Sequence, residues 1–264
     1  MNGNNRIFWI DFSKAILIVL VIFAHCPFVP PLLDTLICGF HMPAFFIISG
    51  YLHKCAPDMV TCFKKNAKRL LIPALLFSFF CYVIWLAKYL LLHKAFLMDE
   101  CVKKPLLGLF IYDNSMATPM CGVIWFLVVL FLCFLLLDFI SMHFGKTGII
   151  VATLLCIMAS IIFFRFDCKD FRYGFYLQRA VISFPFVALG ALSRKTSIMD
   201  GQKTLVTKSL ALTAAYIVLV FINGRTGIYS CTFGQSVLAY YAASITGSFA
   251  LFHWMAMFKH APSL

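Results

Sequence analysis

Apolar residues along this chain come in long unbroken runs. Leu70–Ala87 and Gly122–Leu137 contain hardly a polar side chain between them. A strand of a membrane barrel would alternate apolar and polar positions. A soluble amphipathic helix would carry a polar stripe along one side. A solid run of about 20 apolar residues suits a helix crossing a bilayer, where backbone N–H and C=O groups must be satisfied internally. The pattern predicts about eight such helices. They lie near residues 12–28, 34–53, 70–92, 120–140, 148–164, 178–193, 205–222 and 230–257. The last run is long enough to be tilted, broken, or preceded by a re-entrant piece. The predicted fold class is therefore all-α, a polytopic transmembrane helical bundle. With no internal repeat, low-complexity segment or soluble stretch, residues 1–264 read as a single integral-membrane domain.

Composition agrees. Hydrophobic residues make up 62% and charged residues only 12%, against roughly half and a quarter in soluble domains. Mean hydropathy is +0.94. The first run carries Asp11 and Lys14 and has no clear small-x-small cleavage site, so it reads as a retained helix and not a signal peptide.

The formal net charge of +12 would suggest nucleic acid on a soluble protein. On a polytopic chain it points to Lys and Arg in cytoplasmic loops beside anionic lipid, and no nucleic-acid partner is expected. Lys54, Lys64, Lys65, Lys68 and Arg69 follow the second run; Arg194, Lys195 and Lys203 follow the sixth; Lys146 follows the fourth. The first connection, Pro27–Leu33, has neither Lys nor Arg, and the connection after the seventh run has only Arg225. The third and fifth connections mix signs. This balance puts both termini in the cytoplasm. The 11 cysteines show no CxxC and no metal-ligand spacing, so they read as small buried residues and no metal site is expected.

Candidate chemistry concentrates in the first half. His25 lies eleven positions after Lys14. At about 100° per residue that returns nearly to the same helical face, about 16 Å further along. Asp11 falls near the same face. Ionisable groups in a membrane cost about 2.5–3.5 kcal/mol each on insertion scales, so they persist where they pair, snorkel or work. Lys14 alone reads as readily as an interfacial anchor, and His25 alone as a packing histidine. In register on one helix they read better as an acid–base stripe ending in an imidazole deep in the bilayer. The second run holds another imidazole, His41, then Pro43, which frees a carbonyl and permits a kink, and Ser49-Gly50, which permits close helix approach. The cluster ending in Lys68-Arg69 is either topogenic or an anion site, since Arg binds phosphate bidentately and Lys adds point charge.

In order, the chain reads Asp11-x-x-Lys14-x10-His25, then Phe40-His41-Met42-Pro43-x-Phe45-Phe46-x-x-Ser49-Gly50-Tyr51, then Lys68-Arg69-Leu-x-x-Pro73, then Ile124-Trp125-Phe126-Leu127. This succession resembles the bacterial integral-membrane acyltransferase family three. Looser matches follow at Phe184-Pro185-Phe186-x-x-x-Gly190 and Tyr240-x6-Gly247. The resemblance implies a membrane O-acyltransferase of the bacterial inner membrane, with no bound cofactor and no metal. It would move an acyl group, most simply acetyl, from acyl-CoA to a hydroxyl of a cell-surface glycan or its lipid-linked precursor. It further implies His25 as the catalytic residue and Lys14, Asp11, Arg69, Lys68 and Lys65 as donor-binding residues, with Asp11 fixing the Lys14 ammonium. His41, Ser49 and Trp125 would line the site. Two departures stand out. Many members carry Arg at the position of Lys14, and members usually continue into further spans beyond the Gly247 region, so the family's C-terminal spans are expected to be absent. The alternative class is a transporter or flippase of lipid-linked glycan, which would more often show two related halves with broken helices.

Overall fold

The computed structural model describes residues 7–93, 96–110, 124–168, 174–194 and 205–260. Among these, structure is almost entirely helical, as the solid apolar runs require. The helices are α1 (Phe8–Ala24), α2 (Pro31–Cys38), α3 (His41–Leu52), α4 (Met59–Asn66), α5 (Ile72–His93), α6 (Lys104–Phe110), α7 (Trp125–Arg165), α8 (Phe175–Ser193), α9 (Leu205–Asn223) and α10 (Val237–Ala256). Among the described residues, five helical stretches are long and apolar enough to cross a membrane: Pro31–Leu52, Met59–Leu92, Trp125–Arg165, Phe175–Ser193 and Val206–Asn223. The chain is a multi-pass helical membrane protein. Of the basic residues used to orient it, Lys195 and Lys203 lie outside the described residues, as do Lys169, Asp170 and Arg172 of the fifth connection.

Several boundaries differ from the sequence expectation, each for a local reason. α1 starts earlier than predicted and stops at Ala24, because Pro27 disfavours a helical conformation at Cys26. The fourth and fifth predicted spans follow each other directly within α7 as two helices that meet at Gly145, whose non-helical φ of 59° and ψ of -151° are open to glycine at little cost. The eighth predicted span begins too soon. Residues 224–236 form an ordered loop with paired backbone at Gly227 and Thr232, and Ser236 caps α10 by accepting from the Ala239 N–H. The basic segment 64–69 is helix and not loop. Asp58 starts it by accepting the Thr61 N–H at 2.9 Å, and it runs through a wide π-turn, Ala67–Leu71, into α5. Pro73 accounts for the wide turn. It has no N–H for the Arg69 carbonyl, and its ring crowds that carbonyl. The Ile72 N–H reaches back instead to Ala67.

The chain divides into two compact units. The first comprises Met1–His53, Thr153–Asp167 and Phe184–Leu264, the second Lys54–Ala152 and Cys168–Ser183. In the second, Phe63 of α4 packs edge-on against Phe131 of α7, and the fully buried Asp138 accepts the Ala56 N–H at 3.3 Å. Tyr82, Trp85 and Tyr89 stack along α5, and the Tyr82 hydroxyl donates to the Cys101 carbonyl at 2.6 Å. Much of α5 exposes Phe77, Phe79, Phe80, Ile84 and Leu91, which costs nothing where the solvent is lipid.

The first unit is built around a crossing of α3 and α8. A Cβ on Gly50 would overlap the Val187 carbonyl oxygen and lie 2.8 Å from its carbon. A Cβ on Gly190 would overlap the Ile47 carbonyl oxygen and lie 2.8 Å from the Tyr51 nitrogen. Each helix therefore turns a glycine toward the other's backbone, the close approach expected of Ser49-Gly50. Trp9 of α1 packs against Tyr51 of α3 and Phe252 of α10.

Candidate functional site

Between α2 and α3 the chain leaves the helix for two residues, Gly39 and Phe40. Two carbonyls lose their helical partners there. Phe40 turns its N–H to Ile37, so Leu36 lacks its usual donor four residues on. Pro43 has no N–H for Gly39. In a membrane such orphans are costly unless side chains satisfy them. The Tyr216 hydroxyl of α9 donates to the Leu36 carbonyl, and the Ser244 hydroxyl of α10 donates to the Gly39 carbonyl at 2.8 Å. Gly247 lets this happen, since a Cβ there would lie 2.8 Å from both Phe40 and Tyr216. Pro43 thus frees a carbonyl as expected. It sits in the first turn of α3, where proline is tolerated, and it kinks nothing inside that helix.

The break positions His41 as the first residue of α3. Its ring is buried, with Nδ1 2.7 Å from the Ile37 carbonyl. His25 occupies the end of α1, exposed, with Nδ1 2.8 Å from the Val21 carbonyl. A carbonyl only accepts, so each Nδ1 is the donor, and the neutral tautomer compatible with that contact has its lone pair on Nε2. His25 and Asp34 both lie close enough to His41 to act on it electrostatically. Asp34, in the first turn of α2, accepts the Arg225 Nε–H at 2.7 Å on Oδ2 and the Cys38 thiol at 3.3 Å on Oδ1. One end of the first unit therefore carries two imidazoles, a carboxylate and a guanidinium.

The other site residues fall elsewhere. Lys14 is half-buried on α1 and Asp11 exposed, and among the described residues no ion pair joins them. The buried stripe of α1 is Trp9, Ile10, Ser13 and Leu17, so the Asp11–Lys14–His25 register runs beside the packed face and not through it. His25 stands at the helix end, where the sequence suggested an imidazole deep in the bilayer. Ser49 is half-buried in α3. Lys65, Lys68, Arg69 and Trp125 belong to the second unit. Lys65 donates to the Lys54 carbonyl at 3.3 Å. Lys68 and Arg69 are exposed on the π-turn, with no acidic partner among the described residues. The other basic pair in that unit differs. Lys103 bonds Asp99 at 2.6 Å and Lys104 bonds Glu100. Trp125 is buried at the start of α7.

Sequence reasoning passes over Asp34, Tyr216, Arg225 and Ser244. Asp34 and Arg225 each stand alone in a connection or at a span's edge, and Tyr216 and Ser244 look like ordinary polar residues in a membrane helix. The signal that could have found them is Pro43, which demands a donor for the Gly39 carbonyl without saying which helix supplies it.

Comparison with known proteins brings in relatives. Over an alignment covering 51% of this chain and 36% of the relative, the sequence is 31% identical to the nodulation protein NolL of Mesorhizobium japonicum. The chain spans about a third of that protein's length. No solved structure matches. The family model described as an acyltransferase domain, acyltransferase family three, matches residues 7–263. The match takes in nearly the whole chain, and the chain belongs to that family of membrane acyltransferases.

Proposed function

We propose that this protein O-acylates a glycan, moving an acyl group, most simply acetyl, from cytoplasmic acyl-CoA to a hydroxyl of a cell-surface glycan or its lipid-linked precursor. The bacterial inner membrane is the natural place for it, since acyl-CoA is made on one side and surface glycans mature on the other. The observation that carries the reading is the His25 ring. Its Nδ1 proton is committed to Val21, so Nε2 is left as a base at an exposed helix end. In the reaction, Nε2 takes the acceptor's hydroxyl proton as that oxygen attacks the thioester carbonyl. The C–O bond forms, the C–S bond breaks, and the proton passes to the departing CoA thiolate. In a variant, Nε2 carries the acyl group briefly before the acceptor takes it.

Lys68 and Arg69 are suited to the CoA phosphates, because no carboxylate among the described residues neutralises them and the wide turn leaves them exposed. Lys65, in the same unit, would add positive charge beside them. Neither a metal nor a bound cofactor is needed. The test is transfer of labelled acetyl from acetyl-CoA in membranes carrying the full chain, with the surface glycan compared by mass in cells with and without the gene. His25→Ala should lower transfer by about 100- to 10,000-fold at normal protein levels. An active His25→Ala beside a dead His41→Ala would move the base to α3, and full activity of both would overturn the mechanism proposed for this chain.

A further inference from the structure

The Asp34–Arg225 pair stands at the same end of the first unit as His25, and nothing in the chemistry above uses it. Arg225 comes from the loop after α9, and that loop is tied down at several points. The Asn223 side chain donates to the Phe233 carbonyl and accepts the Ser236 N–H, both at 2.8 Å. The Asn223 carbonyl accepts the Gln235 N–H at 2.9 Å, and Gly227 and Thr232 exchange backbone bonds at 2.8 and 3.0 Å. The guanidinium is thus delivered by rigid backbone and fixed in direction by one carboxylate. Its engaged donor is Nε. The guanidinium also lies within hydrogen-bonding reach of the Cys38 thiol, yet the Arg225 side chain is 68% exposed against 19% for Asp34. A pair that only fastened the loop to α2 would more naturally present the bidentate fork, which puts two donors on two oxygens. Here the second carboxylate oxygen accepts from Cys38, and most of the Arg225 side chain stays exposed.

We infer that Arg225, oriented by Asp34, is an acceptor-binding residue, whose NH2 groups donate to oxygens of a neutral sugar ring and so hold the reacting hydroxyl toward His25. The inference rests on the glycan O-acyltransferase reading and deepens it. Neutral sugar is the chemistry that fits. Asp34 offsets the guanidinium charge, so what remains outward is a set of fixed N–H donors, which match hydroxyl and ring oxygens without requiring an anion. Pre-organisation by the loop keeps the ordering cost low, as an open, weakly contacted site needs.

The experiment uses the full chain in native membranes, labelled acetyl-CoA, and as acceptor the glycan and glycolipid of gene-carrying cells stripped of esters by mild alkali. Arg225→Lys keeps a cation for Asp34 but loses the planar donor edge. The expected result is a rise in acceptor KM of about tenfold or more, with kcat at saturating acceptor and the KM for acetyl-CoA unchanged. Asp34→Asn should move acceptor KM in the same direction. Arg225→Gln, which keeps a donor and loses the charge, should be affected about as strongly as Arg225→Lys if the planar edge is what matters. An unchanged acceptor KM in an active Arg225→Lys enzyme overturns the inference and leaves the acyltransferase reading standing, and so does a parallel loss of folded protein and kcat with KM constant. Absence of transfer by the unsubstituted chain overturns the acyltransferase reading, and this inference with it.

Discussion

Replacing Gly50 by Ala places a methyl where α3 meets the α8 backbone. The new carbon would overlap the Val187 carbonyl oxygen and lie 2.8 Å from its carbon. Carbon pairs sit comfortably at about 3.5–4.0 Å, so the helices must part by about 1 Å. No side-chain rotation relieves this, since the obstacle is backbone. Overpacking of this kind costs about 1–3 kcal/mol, and a backbone clash belongs at the upper end. Alanine returns up to about 1 kcal/mol of helix propensity over glycine. The net loss is then about 2 kcal/mol. Gly190→Ala meets the Ile47 carbonyl and the Tyr51 nitrogen from the other side of the same crossing, and should cost a similar amount. One separation of the helices accommodates both methyls. The double variant should therefore lose about 2–3 kcal/mol and not about 4, a coupling of about 1–2 kcal/mol. Denaturant-induced unfolding of purified protein in detergent, followed by Trp fluorescence, gives the three differences. Singles within about 0.5 kcal/mol of the parent, or a fully additive double, would refute the reciprocal-glycine crossing.

Other predictions test the charges and the orientation. Arg69→Ala should weaken acyl-CoA binding by about 1.5–3 kcal/mol, the worth of a hydrogen bond to a charged group, while Lys104→Ala, whose ammonium already bonds Glu100, should change it little; equal effects by isothermal titration would reduce Arg69 to a topogenic charge. In a background keeping only Cys26 and Cys55, both exposed, a membrane-impermeant thiol reagent should label Cys26 in intact cells and Cys55 only after permeabilisation, and the reverse would invert the topology. Thr61's N–H holds the Asp58 carboxyl below the usual range, so its contribution to the start of α4 is present above the unfolded value of about 3.9 and is lost as pH falls through the lower folded value. Asp58→Asn should flatten that acid limb of the stability curve, and an unchanged limb would show that the cap does not titrate there.

The helical membrane fold was legible without coordinates because it follows from an inescapable requirement. Runs such as Gly122–Leu137 leave no solvent but lipid, and lipid leaves no spanning structure with such solid runs but helix. Motif order carried the family for a similar reason, since His25, Pro43, Gly50 and Pro73 each state a local demand: a base, an unpaired carbonyl, room for a backbone, a disrupted turn. What each demand met was decided by tertiary structure. Ser244 answers the carbonyl freed by Pro43 from 205 positions along the chain, and Gly190 answers Gly50 across a helix crossing. Arg225 reaches Asp34 only because the 224–236 loop, part of which is apolar enough to pass for membrane helix, folds on itself. Periodicity records which face of a helix is apolar, but a polar side chain in a membrane span looks the same in sequence whether its partner is a neighbour's backbone, another side chain or a substrate. That choice depends on which helices come together and at what depth, and neither quantity is local to any one run of residues.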